Sequence, residues 1–230
     1  MQFVTHYRPA HSLAVVELGP GETVRAEASA MISMTRNIQV ATSGPMSRAT
    51  GGFFGGLKRA MLGGETFFTN TFTATGGPGH VTLAPALTGD MVVHELSPGE
   101  ELFIQGGSYV AAPDTIALDT KWQGMKGFFS GESLFFLHAT GRGPVLMNAF
   151  GAIQTIDLDG ELVVDTGHLV AFTSGLTYRV STASPGLIQS FLSGEGFVLH
   201  ISGRGRLYLQ SRNPTEYGRA VGSSLPARDA

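Results

Sequence analysis

Ser193–Gln210, SGEGFVLHISGRGRLYLQ, decides how the chain is read, because the chain says it three times. Ser130–Asn148 reads SGESLFFLHATGRGPVLMN, and Gly63–Leu83 reads GGETFFTNTFTATGGPGHVTL. Each copy opens on Gly-Glu, runs through an apolar stretch, turns at a Gly-rich centre and enters a second apolar stretch. Two such runs about a Gly turn predict a β-hairpin. Gly76-Gly77-Pro78-Gly79 and Gly141-Arg142-Gly143 are then hairpin turns, where glycine supplies positive φ. Leu134-Phe135-Phe136-Leu137 is continuously apolar and predicts a strand covered on both faces, whereas Leu207-Tyr208-Leu209-Gln210 alternates.

Working outward, a second module precedes each copy. It reads LAVVELGPGE at Leu13–Glu22, MVVHELSPGE at Met91–Glu100 and AIQTIDLDGE at Ala152–Glu161. Leu18, Pro20, Gly21 and Glu22 recur as Leu96, Pro98, Gly99 and Glu100; the third version drops a residue and keeps Leu158, Gly160 and Glu161. Proline presets φ and glycine supplies positive φ, so each module is a turn between strands. Thr23–Ile32, TVRAEASAMI, is expected to begin the strand after the first turn.

Two alternating modules give three units. Residues 1–88 form the first, with an extended Gly/Phe-rich connector; 89–150 form the second, 151–212 the third, and 213–230 a polar tail expected to be mobile except near Tyr217. The period exceeds the roughly 20–50 residues of solenoids and propeller blades. No long 3.6-residue helical pattern occurs, although one turn of helix around Leu57–Leu62 fits the connector. The expected fold is all-β, a sandwich or barrel in one compact domain.

Composition narrows the function classes. Only 14% of residues are charged, against roughly 25% in typical soluble chains, and 42% are hydrophobic, with 15 Phe. A surface so poor in charge favours burial between subunits, so a homo-oligomer is expected. A formal net charge of −3 gives no general basic footprint for nucleic acid. No Cys is present, which excludes a disulfide framework and a thiolate nucleophile. The first residues, MQFVTHYRPAHSLAVVELGPG, lack the charged and apolar regions of a signal peptide, and no apolar run approaches the roughly 18 residues of a transmembrane helix. The reading places the protein in the cytoplasm, with peripheral attachment to a membrane as the alternative.

The stretches GGLKRAMLGGETFFTN, LSPGEELFIQGGSYVA, KGFFSGESLFF and SGEGFVLHISGRGRLYLQSR, in this order, resemble the family of uncharacterised bacterial proteins related to the mitochondrial-biogenesis protein "altered inheritance of mitochondria 24". The likeness runs from Leu13 to Arg212. It implies a fold like that of the tryptophan RNA-binding attenuation protein, a β-sandwich of double-stranded β-helix type in three pseudo-equivalent repeats. It implies no assigned enzymatic activity, and for eukaryotic relatives a tie to mitochondrial membrane organisation.

Three sets of residues compete for a function. Glu65, Glu132 and Glu195, like Glu22, Glu100 and Glu161, read either as related acidic ligands or as turn carboxylates accepting backbone N–H bonds. His138 and His200 sit three residues before Gly141 and Gly203, with Thr73 in that place in the first copy. With a glutamate they are the only basis for a small-ligand or metal-dependent enzyme, but no His-x-His pair occurs, and no Gly-x-Ser-x-Gly elbow or nucleotide loop is found. No catalytic residue, metal or cofactor is therefore assigned. The connectors carry the third set: Phe53, Phe54, Leu57, Lys58 and Arg59 in the first unit, and Trp122, Lys126, Phe128 and Phe129 in the second. Apolar side chains beside cations suit a protein partner, another subunit or an anionic membrane surface. Arg142, Arg204 and Arg206 lie at the turns, but the acidic balance makes nucleic acid an unfavoured partner. The leading expectation is a non-enzymatic binding or scaffold protein; a peripheral membrane-organising protein stands second.

Overall fold

The computed structural model of the chain describes residues 1–43, 69–121, 136–182 and 197–225. In the first unit the strands are β1 (Gln2–His6), β2 (Leu13–Leu18), β3 (Thr23–Glu27), β4 (Met31–Met34), β5 (Ile38–Ser43), β6 (Thr69–Ala74) and β7 (Gly79–Leu83). The second unit has β8 (Met91–Leu96), β9 (Glu101–Gln105), β10 (Tyr109–Pro113), β11 (Ile116–Lys121), β12 (Phe136–Gly141) and β13 (Gly143–Asn148). The third has β14 (Ile153–Asp165), β15 (Leu169–Thr173), β16 (Leu176–Thr182) and β17 (Phe197–Gln210), followed by helix α1 (Pro214–Ser223). The chain is thus nearly all β, in curled antiparallel sheets, as its Val-, Phe- and Thr-rich runs between Gly and Pro turns require.

The Gly-rich copies are not hairpins. β12 pairs with β11 and β9, whereas β13, only one residue further on, pairs with β10 and β8 in a different sheet. Likewise β6 pairs with β3 and β5, and β7 with β2 and β4. The glycines mark a corner where one run leaves its sheet and enters the next. In the third unit the same path is the single strand β17, which pairs β16 along its first half and β15 near its end. Gly141 (φ +122°) and Gly203 (φ +122°) are needed there for two reasons. The backbone turns through a conformation L side chains rarely adopt, and a Cβ would stand 2.2 Å from the Thr115 carbonyl oxygen or 2.4 Å from that of Gly175.

Among the described residues three sheets result, with orders β1-β2-β7-β4, β5-β6-β3-β10-β13-β8 and β11-β12-β9-β15-β17-β14, with β16 also on β17. The units are joined by one kind of seam. β3 pairs β10 with Ala26 opposite Ala111, and β9 pairs β15 with Ile104 opposite Ala171. In each seam the later strand, β10 or β15, carries a bulge against its other neighbour, with Val110 and Val170 as the extra residues. β4 carries the same bulge against β7, with Ile32 extra. The expected strand Thr23–Ile32 is therefore two strands, broken at Ser29, whose φ is +74°.

The buried side chains form three clusters, and the seams interlock them. The first unit's cluster takes in Val110, Ala111 and Leu146 from the second unit. The second unit's cluster takes in Val170, Ala171 and Tyr208 from the third. The third cluster, around Phe172, Leu199 and Leu207, has no member from the first unit and is flanked by half-buried Leu162, Tyr178 and Val180. At the other end, Arg8 grips the buried Asp90 carboxylate through Nε at 2.7 Å and Nη2 at 2.9 Å, tying the first unit to the start of the second. The tail holds helix α1 where no element was expected. Asn213 caps it by accepting from the Thr215 and Glu216 N–H groups, Pro214 opens it, and Tyr217 packs edge-on against Phe150.

Candidate functional site

The connector residues Phe53, Phe54, Leu57, Lys58, Arg59, Trp122, Lys126, Phe128 and Phe129 lie outside the described residues, as do Glu65, Glu132 and Glu195. Glu22 and Glu100 are turn carboxylates. Glu22 Oε2 accepts from the Gly19 N–H at 2.6 Å, and Glu100 Oε2 from the Ser97 N–H at 3.0 Å. The hydrogen bond from the N-terminal ammonium of Met1, and then that from Gly19, hold the Glu22 carboxyl below its ordinary range. Glu161 is not their counterpart. It lies opposite Ser202 just as Glu101 lies opposite Thr140, and the turn expected before it is absent, since β14 runs unbroken through Leu158–Glu161.

The two paired histidines find separate partners. His138 Nε2 sits 2.5 Å from Glu101 Oε2, and its ring stacks on Phe103 with centroids 4.9 Å apart. His200 Nε2 is 2.8 Å from Ser181 Oγ. Their counterpart in the first unit is Thr71, not Thr73, since Thr71 faces Arg25 as His138 faces Phe103. Among the described residues no group of three or more His, Asp or Glu side chains could hold a metal ion.

A cleft of about 680 Å³ lies between the second and third units, lined by β8, β14, β17 and the turn before β9. A polar chain crosses it. Asp157 accepts from Arg206 Nε at 2.8 Å and Nη2 at 3.3 Å. Arg206 lies near the Tyr208 hydroxyl, which is 2.8 Å from His94 Nδ1. Nε2 lies 3.3 Å from Glu100 Oε1, off the line a hydrogen bond needs, and this buried nitrogen is unmatched among the described residues. Burial lowers the His94 pKa, and nearby Glu100 offsets part of that, so the ring is neutral at pH 7.

The second feature is an open edge at each end of the strand path. Among the described residues β4 pairs with β7 on one side only, and the Glu161–Asp165 half of β14 pairs with β17 on one side only. Met31, Ile32 and Met34 on β4 are 41%, 55% and 39% exposed. Their counterparts on the covered strands, Tyr109, Val110 and Ala112 on β10, are wholly buried. Val163 on β14 is 57% exposed. Unpaired strand edges with apolar side chains are sites of pairing to another chain.

Residues 3–212 match the family described as Mitochondrial biogenesis AIM24. The chain belongs to this family. An AIM24-family relative in kind, an uncharacterised protein of Streptococcus pyogenes serotype M6, is 29% identical over 231 residues, covering 98% of this chain and 92% of the relative. The crystal structure of protein SPYM3_0169 from Streptococcus pyogenes superposes with a TM-score of 0.80 at 27% identity, over 97% of this chain and 99% of the other. Among the described residues of this AIM24-family chain no helix is long and apolar enough to cross a membrane.

Sequence reasoning missed both features of this AIM24-family chain. His94 and Tyr208 are 114 positions apart and carry no local pattern. The edge left one trace: Ala30-Met31-Ile32 and Met34 are apolar with only Ser33 between them, nearly as for a strand covered on both faces, yet Met31, Ile32 and Met34 stay exposed.

Proposed function

We propose that this protein acts by binding rather than by catalysis, as a non-enzymatic scaffold that works in a homo-oligomer. On this reading its units are three pseudo-equivalent repeats of a β-sandwich of double-stranded β-helix type, and the oligomer continues the packing between them. The observation that supports it is β4, an apolar strand at a sheet end with Met31, Ile32 and Met34 in solvent. Exposed apolar strand edges are normally blunted or covered. The test is the mass of the native particle at micromolar concentration, by native mass spectrometry without chelator. A defined assembly heavier than one 24.2 kDa chain supports the reading, and a single chain at every concentration overturns it.

A second reading, a small-ligand protein, rests on the cleft and the unmatched Nε2 of His94. The same spectrum tests it. An extra mass retained in fixed ratio to the chain, and lost on His94→Leu, supports it; a bare chain mass counts against it.

A further inference from the structure

We propose that copies of this chain join head to tail, the β14 edge of one pairing with the β4 edge of the next. The proposal rests on the scaffold reading and names its partner as a second copy of the same chain. The chain builds this seam twice within itself. In both, the strand after the Glu turn pairs antiparallel with the bulged strand of the following unit, as β3 does with β10 and β9 with β15. The third unit has the first half of a seam in Glu161–Asp165 of β14, and among the described residues no bulged strand lies beside it. The first unit has the second half in β4, and among the described residues no strand pairs with its other side.

The counterparts set the register. Opposite Leu137, Ala139 and Thr140 on β12 stand Ile104, Leu102 and Glu101; opposite Leu199, Ile201 and Ser202 on β17 stand Val164, Leu162 and Glu161. Val164 therefore takes the place of Ile104, and Val163 that of Phe103. On the other strand, Ser33 and Met34 take the places of Ala171 and Phe172, since each follows the bulge by the same step. Ile104 pairs Ala171 and Phe103 pairs Phe172. The seam between copies thus sets Val164 opposite Ser33 and Val163 opposite Met34. It completes a third sheet, with β16, β17 and β14 from one copy and β4, β7 and β2 from the next.

Packing gives an independent reason. Val110 enters the first unit's buried cluster and Val170 the second's. Ile32 holds the same place and enters none, while the third cluster keeps Leu162, Tyr178 and Val180 only half buried. The neighbour's Ile32 fills that third core. The two edges differ, so the contact is heterologous, and each copy offers one of each.

Complementation tests this. Ile32→Asp spoils only the β4 edge and Val163→Lys only the β14 edge. Both residues are more than half exposed, so each variant folds as the parent does, which circular dichroism checks. Each variant alone should lose the parent's assembly. Mixed, the two should form a dimer and nothing larger, because one intact edge of each kind remains. Val163→Cys mixed with Met34→Cys, in a chain with no other cysteine, should give a disulfide between unlike chains, since antiparallel neighbours lie about 4.5–5.5 Å apart at Cα. An assembly unchanged in both variants overturns the seam and leaves the scaffold reading standing. Variants that stay monomeric when mixed, or Val163→Cys chains that link to each other as readily as to Met34→Cys chains, also overturn it. A monomeric parent overturns both.

Discussion

Ile32 and Val110 are the extra residues of the same bulge in two different strands, yet Val110 is sealed in the core and Ile32 is 55% exposed. The backbone is matched and the side chains are nearly isosteric. The difference lies wholly in whether a neighbouring strand lies alongside, which β3 provides for β10.

The corner glycines should rank by what a side chain would strike. Gly141→Ala and Gly203→Ala each combine a positive φ with a backbone oxygen closer than 2.5 Å to the new Cβ. Each should cost upwards of about 3 kcal/mol, since the backbone itself must shift. Gly160→Ala has φ +139° but open space around the Cβ, and should cost only about 1–2 kcal/mol. Urea unfolding of the three variants gives the order; equal costs would show that the corner relaxes freely.

Tyr208→Phe removes the hydroxyl 2.8 Å from His94 Nδ1 and leaves that nitrogen of a buried ring without its partner. The expected loss is about 1–3 kcal/mol of stability. Proton NMR of the His94 ring adds a test that general destabilisation does not mimic. With its partner at Nδ1 gone, the ring should shift its tautomer balance and its signals, and an unchanged ring signal would contradict the His94–Tyr208 contact.

Glu27 ends β3 and is pushed up to about 7 from 4.5 by burial. Between those values the folded chain holds a proton that the unfolded chain has released. Stability therefore falls as pH rises from about 4.5 to 7 and then levels off. Glu27→Gln should flatten that slope and leave the variant more stable than the parent at pH 8. Thermal melts from pH 5 to 8 decide it, and parallel curves for the two proteins would show that Glu27 is not the group responsible.

The strand content and the turns were legible in the sequence because they are local. Pro20-Gly21 and Pro98-Gly99 stop one strand and start another wherever they fall. The hairpin expectation failed because a Gly turn between two apolar runs looks the same whether the runs pair with each other or part into different sheets. Only the partners, β11 and β9 for one run and β10 and β8 for the other, tell them apart. The alignment of Glu161 with Glu100 failed for a smaller reason: the Gly-Glu pattern marks a turn at Gly99-Glu100 but lies inside the unbroken strand β14 at Gly160-Glu161, where pairing alone sets the register. The cleft was illegible because its polar residues do not recur: Tyr208 stands where the other units have Leu146 and Thr82, and Arg206 where they have Pro144 and His80.

The seams also set a timetable. A chain emerging from the ribosome makes β3 long before β10, and β9 long before β15. Each unit's inner edge, with Val24 or Leu102 on it, must wait for the unit after it. Such distant pairings form late and leave sticky intermediates behind them. A chain stopped between units is therefore no smaller version of the protein. It is a fragment with a raw edge, and a cell making this chain has reason to finish it once begun.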